Sequence, residues 1–526
     1  MTPEEWISHD PDPATAAELA ACDPDELAAR FAHPLAFGTA GLRGPVRGGP
    51  DAMNVAVVSR ATWAVARVLI DRGLAGSSVI VGRDARHGSA VFATVTAEVL
   101  AAQGFSVLLL PGTTPTPVVA FAVRHTGAAA GIQITASHNP ATDNGYKVYV
   151  DGGIQLIPPT DRQIEAAMAA APPADEIVRR AVQPAQTDLV QRYIARAAGV
   201  RRGSGSVRVA LTAMHGVGGE VAVETLRRAR FGQVHAVGAQ FAPDPDFPTI
   251  AFPNPEEPGA TDALLTLAAD EDADVAIALD PDADRCAVGI AGETGWRMLS
   301  GDETGWLLGD YILSQEQVAK PVVASTVVSS RMLAAIATQH GAVHVETLTG
   351  FKWLARADAE VPGGTLVYAY EEAIGHCVDP DAVRDKDGIS AAVLVCDLVA
   401  ALKARGSSVP RALDELARRY GVHDVAAVSR RVADPAEAAE LMRRLRAAPP
   451  ARLAGLAATA TDITDALIFT GGDDEASARV VVRPSGTEPK LKCYIEIRCA
   501  VSGDLGAARA RAGALRQRLV DEVRGW

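Results

Sequence analysis

The chain has 526 residues, 48% of them hydrophobic, and a formal net charge of -14. That length predicts roughly three or four domains with sizeable cores, and that composition excludes extended disorder. The negative balance argues against a nucleic-acid or anionic-membrane partner, so an anionic ligand would need local basic pockets.

The cysteines Cys22, Cys286, Cys377, Cys396, Cys493 and Cys499 form no Cys-x-x-Cys pair and suit neither a zinc site nor a disulfide framework. Reduced thiols, an N-terminal Met1–Trp6 stretch without signal-peptide character and the lack of any apolar run of about 18 residues predict a cytoplasmic protein with no membrane span. Lysine stands only at positions 147, 320, 352, 386, 403, 490 and 492 in a chain that otherwise uses arginine. Lysine can lose its proton when desolvated and arginine effectively cannot, so these positions are candidates for chemistry that needs an amine.

Residues 1 to about 35 read as peripheral helices, with Asp12 and Asp23 as caps and a proline directly after each. Phe37-Gly38-Thr39-Ala40-Gly41-Leu42-Arg43-Gly44 has the make-up of a backbone nest for an oxyanion, or of a plain glycine-rich turn. Strands and helices then alternate to about residue 200: Val79–Asp84 and Val107–Leu110 are buried strands, and Ala90–Ala102 is helical. A further apolar run, Gly131–Ile134, delivers the chain to Thr135-Ala136-Ser137-His138-Asn139-Pro140. This is the pattern of a mainly parallel α/β domain with ligands at strand C-terminal ends. Ser137 with His138 beside it and Lys147 nearby suits a covalent relay; the same residues also make ordinary turns.

A second α/β unit starts after Arg201–Ser206, with a strand at Val207–Leu211. Its His215-Gly216-Val217-Gly218-Gly219-Glu220 stretch imitates a dinucleotide fingerprint but has Val221 at the third glycine position, and that reading is rejected. The strand Asp274–Leu279 runs into Asp280-Pro281-Asp282-Ala283-Asp284-Arg285. Three carboxylates this close repel unless a cation lies between them, and hard oxygen ligands suit Mg²⁺. An EF-hand is excluded, because Arg285 and Ala291 occupy the positions that need glycine and glutamate. A third unit begins near Lys320, with a strand at Val322–Val328 whose end is rich in hydroxyls. It continues through Thr349-Gly350-Phe351-Lys352, then Glu371-Glu372-Ala373-Ile374-Gly375-His376, then Arg384–Gly388. The two glutamates suit paired sugar hydroxyls or a helix N-terminus. From about residue 425 a smaller unit holds Arg483-Pro484-Ser485-Gly486-Thr487-Glu488-Pro489-Lys490 between two strands, a loop able to close on a phosphate. No GxxxxGK[ST] loop occurs, so ATP is not the expected phosphoryl source.

In this order and spacing, the motifs at Ser137, Asp280–Arg285, Glu371–His376 and Arg483–Lys490 resemble the α-D-phosphohexomutase family, which contains phosphoglucomutases and phosphomannomutases. The resemblance spans nearly the whole chain. It implies three related mixed α/β domains plus a smaller C-terminal α+β domain around a central cleft, with bounds here at 1–204, 205–318, 319–424 and 425–526. By resemblance, Ser137 is the phosphorylated serine. Asp280, Asp282 and Asp284, with the phosphoserine, bind Mg²⁺. Glu372 and His376 lie in the sugar loop, Arg483, Ser485, Gly486, Thr487 and Lys490 hold the substrate's non-reacting phosphate, and Arg285, beside the aspartates, is placed to bind a phosphoryl oxygen of the substrate group that the metal holds. Arg43, Lys147 and Lys352 match basic positions near the reacting oxygens, and Lys147, Lys352 and His138 are the candidate proton carriers.

The implied activity interconverts hexose 1-phosphate and 6-phosphate through a bisphosphate, which also primes the serine. The expected partner is a small phosphosugar, and the expected state is a monomer or weak homo-oligomer. Two departures stand out. Pro281 and Ala283 replace glycines of the family's metal loop. Ile374 replaces a serine of its sugar loop, as in the subgroup that includes phosphopentomutases, so a pentose phosphate is the alternative substrate. Two readings from other classes remain: a non-catalytic phosphosugar-binding protein, and a Mg²⁺ phosphohydrolase with Asp280 as nucleophile.

Overall fold

The computed structural model describes residues 1–37, 41–432, 435–464, 466–484 and 490–526. Three short helices open the chain, Pro3–Ser8, Pro13–Ala20 and Pro24–Ala32. Each begins with proline behind a capping Thr2, Asp12 or Asp23, because proline lacks only an N–H that the first turn could not use.

Four sheets follow among the described residues. The first holds β1 (Leu42–Pro45), β2 (Ser78–Arg83), β3 (Ser106–Leu109), β4 (Ala130–Ile134), β5 (Asp143–Val150) and β6 (Ile154–Gln155), in the order β1-β5-β4-β2-β3 with β6 on β5. The second holds β7 (Arg208–Thr212), β8 (Gln233–Ala236), β9 (Val275–Leu279), β10 (Cys286–Gly292) and β11 (Gly295–Met298), in the order β11-β10-β9-β7-β8. The third holds β12 (Pro321–Thr326), β13 (Val343–Thr347), β14 (Thr365–Glu371) and β15 (Gly375–Cys377), in the order β13-β12-β14-β15.

These three sheets share one plan. The leading central strand (β2, β7 or β12) pairs in parallel with the next two strands on either side. The fourth strand (β5, β10 or β15) returns antiparallel beside the third. The sheets are therefore mixed rather than mainly parallel. The short third-to-fourth connections leave no room for a crossover helix, so those strands must pair antiparallel. Those connections are the serine loop, the aspartate loop and the glutamate loop.

The fourth sheet is antiparallel throughout, with β16 (Val422–Arg431), β17 (Arg452–Leu453), β18 (Leu456–Ile463), β19 (Ala466–Gly472), β20 (Ala476–Pro484) and β21 (Lys490–Cys499) in the order β16-β21-β20-β19-β18-β17. The helices Pro435–Ala447 and Leu505–Arg524 pack on it. The architecture is thus three related α/β domains and a smaller α+β domain.

The largest apolar core runs through the first three units and includes the helix Gly388–Ala404, which is buried along nearly its whole length. This helix packs on β9, β10 and β15 at once. Its Asp397 is fully buried and accepts the Arg202 N–H (2.8 Å), the Gly203 N–H (3.0 Å) and the Tyr311 hydroxyl (2.8 Å). The glycine- and serine-rich Arg201–Ser206 boundary is thereby tied down, because a buried carboxylate needs donors on its lone pairs.

Candidate active site at three equivalent loops

Serine comes first. Beyond Ile134 the Thr135 hydroxyl accepts the Ser137 N–H (2.9 Å). Ser137 takes the left-handed backbone conformation, φ +53°, which non-glycine residues adopt rarely and which clusters at functional sites. Arg86 holds the turn in that shape. It is 3% exposed, and its guanidinium donates to the carbonyls of Ser137 (2.7 Å), Asn139 (2.6 Å), Pro140 (2.6 Å) and Asp143 (3.1 Å). The Ser137 hydroxyl reaches out of domain I, donating to Asp280 Oδ2 at 2.8 Å, with His138 Nδ1 3.2 Å away.

Asp280, Asp282 and Asp284 are buried, and each offers a carboxylate oxygen within 4.8 Å of the others. The loop needs φ +57° at Ala283, which explains a family preference for glycine there; alanine keeps the turn at some cost. Neighbouring domains brace the loop. Thr116 donates its N–H to the Asp282 carbonyl (2.9 Å) and its hydroxyl to Asp282 Oδ2. Gly388 N–H reaches the Ala283 carbonyl (3.2 Å), and Arg285 N–H reaches Asp280 Oδ1 (3.0 Å).

Lys147 Nζ donates to Asp282 Oδ2 (2.6 Å) and Asp284 Oδ2 (2.8 Å), and Lys386 Nζ lies 3.4 Å from Asp284 Oδ2. Asp282 Oδ1 and Asp284 Oδ1 are buried without a hydrogen-bond partner. Unpartnered buried carboxylate oxygens are costly in protein alone and are natural ligands for a hard divalent cation, so the donor set fits Mg²⁺. Burial drives the Asp280 carboxyl well above the ordinary carboxylate range, and the charges of Asp282 and Asp284 add to the shift. At Asp282 burial acts in the same sense but is outweighed by Lys147, and its acid lies well below that range. Burial disfavours the Lys147 ammonium, yet Asp282 and Asp284 raise its pKa.

The glutamate loop closes the cleft from domain III. Glu371 belongs to the same electrostatic cluster: burial raises its pKa while Lys386 and Arg285 oppose the shift. Glu372 faces the other way. Its Oε2 accepts the hydroxyls of Thr326 and Ser329, each at 3.2 Å, and it lines a cavity of about 580 Å³ with Lys492, Arg479 and Tyr494 of the C-terminal unit. Ile374 also has a left-handed backbone, φ +53°, and buries its side chain in the apolar cluster of domain II. His376 does not reach the cavity. It is 1% exposed, bonded to the Tyr368 hydroxyl (3.0 Å), and stacked with Tyr368 and Tyr370; burial lowers its pKa to about 3. The structure makes it a core residue, because the pleat of β14 and β15 sets it opposite Tyr370.

Arg43 sits in β1 opposite Gly145, and its Nη1 lies 3.4 Å from Asn139 Oδ1. The expected nest around it is partly strand: Gly41 has φ +86°, and a Cβ there would fall 2.0 Å from the Tyr146 carbonyl oxygen. Residues 38–40 lie outside the described residues. Lys352 is 7% exposed, in the short helix Phe351–Leu354, and burial lowers its pKa. Arg285 lies 3.8 Å from Glu256 on the cavity rim. Arg483 is the penultimate residue of β20 and Lys490 starts β21; Ser485, Gly486 and Thr487 lie outside the described residues. The sequence gives no role to Arg86, Thr116 or Arg479, and marks Lys386 and Lys492 only as lysines able to serve chemistry that needs an amine. Arg86 stands just past the end of β2, and Thr116 opens the helix Thr116–Thr126 after the threonine- and proline-rich turn that follows β3. The rule that ligands gather at strand C-terminal ends pointed to both.

Comparisons with known proteins place the chain in a family. Models described as phosphoglucomutase/phosphomannomutase α/β/α domains I, II and III match residues 34–174, 191–293 and 300–420, and the C-terminal domain model matches residues 428–502. A probable phosphomannomutase of Haemophilus influenzae is 40% identical over 85% of this chain and 93% of that protein. A probable phosphoribomutase of Schizosaccharomyces pombe is 33% identical over 99% of this chain and 96% of that protein. The Homo sapiens phosphopentomutase is 33% identical over 91% and 87%. The crystal structure of a putative phosphomannomutase from Thermus thermophilus superposes with a TM-score of 0.71 at 25% identity, covering 94% of this chain and 99% of that one. The chain belongs to the α-D-phosphohexomutase family and is a phosphosugar mutase, an isomerase that moves a phosphoryl group within its substrate.

Proposed function

We propose that this mutase interconverts hexose 1-phosphate and hexose 6-phosphate through phosphorylated Ser137 and a hexose bisphosphate intermediate, with Mg²⁺ held by Asp280, Asp282 and Asp284. The observation that carries the reading is the 2.8 Å contact between the Ser137 hydroxyl and Asp280, across a domain boundary, beside two unpartnered carboxylate oxygens. When bound, Mg²⁺ supplies charge neutralisation for the transferring phosphoryl group.

The chain's own residues supply the rest. In the first step the phosphorus–Oγ bond of phosphoserine breaks and a bond forms to the free sugar hydroxyl, whose proton goes to a base. After the bisphosphate turns round, its other phosphoryl group returns to Ser137 Oγ and the sugar oxygen regains a proton. Lys147, Lys352 and His138 are the proton carriers. Arg43 and Arg285 stabilise equatorial oxygens. Glu372 accepts sugar hydroxyls, and Arg483, Ser485, Gly486, Thr487 and Lys490 hold the distal phosphate. A cavity of about 580 Å³ is within the size of small-ligand sites. A trace of sugar bisphosphate serves as activator by loading the serine.

The second reading is a pentose phosphate substrate. An isoleucine at position 374 gives the sugar loop no hydroxyl there, and several relatives carry phosphopentomutase or phosphoribomutase names. The test is one assay: purified protein, Mg²⁺ and a trace of glucose 1,6-bisphosphate, with glucose, mannose and ribose 1-phosphates in turn. Isomerisation is expected, and Ser137→Ala is expected to abolish it. Full-rate isomerisation in that variant overturns the phosphoserine route, and the preferred sugar decides between the readings.

A further inference from the structure

Each α/β unit braces its functional loop from the same place, the segment that follows its leading central strand. After β2, Arg86 gathers the carbonyls of the serine loop. After β7, Val217 N–H reaches the Pro281 carbonyl (2.8 Å), and a Cβ on Gly216 would fall 2.4 Å from the Pro281 backbone. At and just past the end of β12, Thr326 and Ser329 hold the Glu372 carboxylate, and Glu372 N–H returns to Ser329 Oγ (3.1 Å). This hydroxyl-rich strand end stood out in the sequence and is so far without a role of its own.

In the third unit the brace reaches a second partner. Ser330, the next residue, donates its hydroxyl to Glu496 Oε1 (2.6 Å), and Arg331 donates its N–H to Oε1 (2.9 Å) and its Nε–H to Oε2 (2.7 Å). Glu496 is 5% exposed, contacts His423 Nδ1 at 2.7 Å, and belongs to β21, the strand that begins at Lys490. Ser330 is fixed in turn, because its N–H reaches Asp302 Oδ1 (2.8 Å) and its Oγ accepts Met332 N–H (3.2 Å). Neighbouring backbone positions therefore grip the sugar-side glutamate on one hand and the C-terminal unit on the other.

We propose that Glu496 is a positioning residue for Glu372: seated on Ser330 and Arg331, it sets Ser329 and thereby the sugar-loop carboxylate, so that docking of the C-terminal unit arranges the sugar loop. The proposal rests on the reading that Glu372 and the Arg483–Lys490 loop contact opposite ends of one substrate. A carboxylate accepting several donors from one turn fixes that turn more firmly than neutral bonds do, and residues sharing one hydrogen-bond network respond non-additively.

The experiment combines two readouts. Glu496→Gln is expected to raise KM for the preferred sugar 1-phosphate about 10-fold with kcat changed less than about threefold. In the substrate-free protein it is expected to speed amide hydrogen exchange across residues 369–375 about 10-fold. In a cycle with Ser329→Ala, the double variant should be at least about fivefold less impaired than the product of the single effects. Effects that multiply, with unchanged exchange at residues 369–375, overturn the coupling. If Glu496→Gln does not fold, Arg331→Gln interrupts the same contact from its half-exposed side and the same outcomes apply. If the native protein turns over no sugar phosphate, the functional reading fails alone and the exchange measurement still decides the coupling.

Discussion

The reacting side and the holding side of this cleft are built differently. Ser137, the three aspartates, Lys147 and Lys386 sit among domains I to III, buried, and joined across domain boundaries by many hydrogen bonds and a shared apolar core. The C-terminal unit lies outside that shared core and meets domain III through an apolar patch, Val327 and Val328 against Ala466, Ile468 and Val481, through Ala417 in its own core, and through polar contacts of Glu496, Arg479, Arg498 and Arg509. Electrostatic stabilisation of a transferring phosphoryl group works best when its donors are already in place. On the proposed route a bisphosphate turns round before the second transfer, and a wall outside the shared core of the first three domains is better suited to let it do so. Removing a group on the reacting side should therefore cost rate or folded-state integrity outright. Changes on the holding side should appear as altered affinity and altered response to conditions.

The largest effect expected is from Asp280→Asn. It replaces the carboxylate that meets Ser137 Oγ and reduces the charge of the cation site, and kcat should fall about 10³-fold or more. Titration with Mn²⁺ as a Mg²⁺ substitute should show weakened binding. Near-native turnover in this variant would remove the reacting side as drawn here.

Lys147→Met comes next. It removes the ammonium that Asp282 and Asp284 share, leaving buried carboxylates that the charges of Lys386 and Arg285 only partly compensate. Breaking a buried ion pair in this way costs about 3–5 kcal/mol. The loss should be seen by denaturation in EDTA and should shrink when Mg²⁺ is added, because the cation replaces the missing charge. A loss that Mg²⁺ leaves unchanged would show that the aspartates are not its ligands.

Asp302 tests the holding side by pH. It lies beneath the Thr326–Arg331 brace and accepts the Ser330 N–H and the Tyr370 hydroxyl. Burial raises its pKa from 3.8 to about 7, against those two donors and with help from Glu372 and Glu496. Between these values the folded protein keeps a proton that the unfolded chain gives up. Stability is therefore greatest below pH 3.8 as far as this group is concerned, and it is lost as pH rises to about 7. Asp302→Asn mimics the protonated acid. Its unfolding free energy, measured by urea titration, should fall less than that of the native protein between about pH 5 and pH 8, by a difference on the order of 2 kcal/mol. Equal falls in both proteins would show that Asp302 does not titrate in this window.

Much of the reacting side was legible from sequence, because each functional loop is contiguous and follows an apolar strand. Val275–Leu279 is buried at every position, and such a run ending in alternating aspartates announces a polar site at a strand end. What the sequence concealed is pairing over long separations. Thr116 and Asp282 are 166 positions apart, and Arg86 meets the serine loop 51 to 57 positions on. No local pattern encodes such a contact. His376 was misleading for a related reason: adjacency to Glu372 in sequence says nothing about direction, and strand pairing turned its ring into the core. Ile374 reads in the sequence as a missing sugar-loop hydroxyl; its side chain also joins two domains, a role invisible without knowing what faces it.

Thr116 offers the finest test of the comparison, since it joins domain I to the aspartate loop without being a ligand. Its N–H and hydroxyl both go to Asp282. Thr116→Val keeps the volume and the backbone bond and deletes only the hydroxyl. Partners that orient a metal ligand are typically worth about 10–100-fold in affinity. Here the effect should lie near the lower end, about 10-fold in Mn²⁺ binding, because Val217, Gly388 and Lys147 still hold the loop. Unchanged affinity would mean that the remaining braces suffice by themselves. A loss well beyond about 100-fold would mean that the loop depends on this one hydroxyl and that the reacting side is less over-determined than its hydrogen bonds suggest.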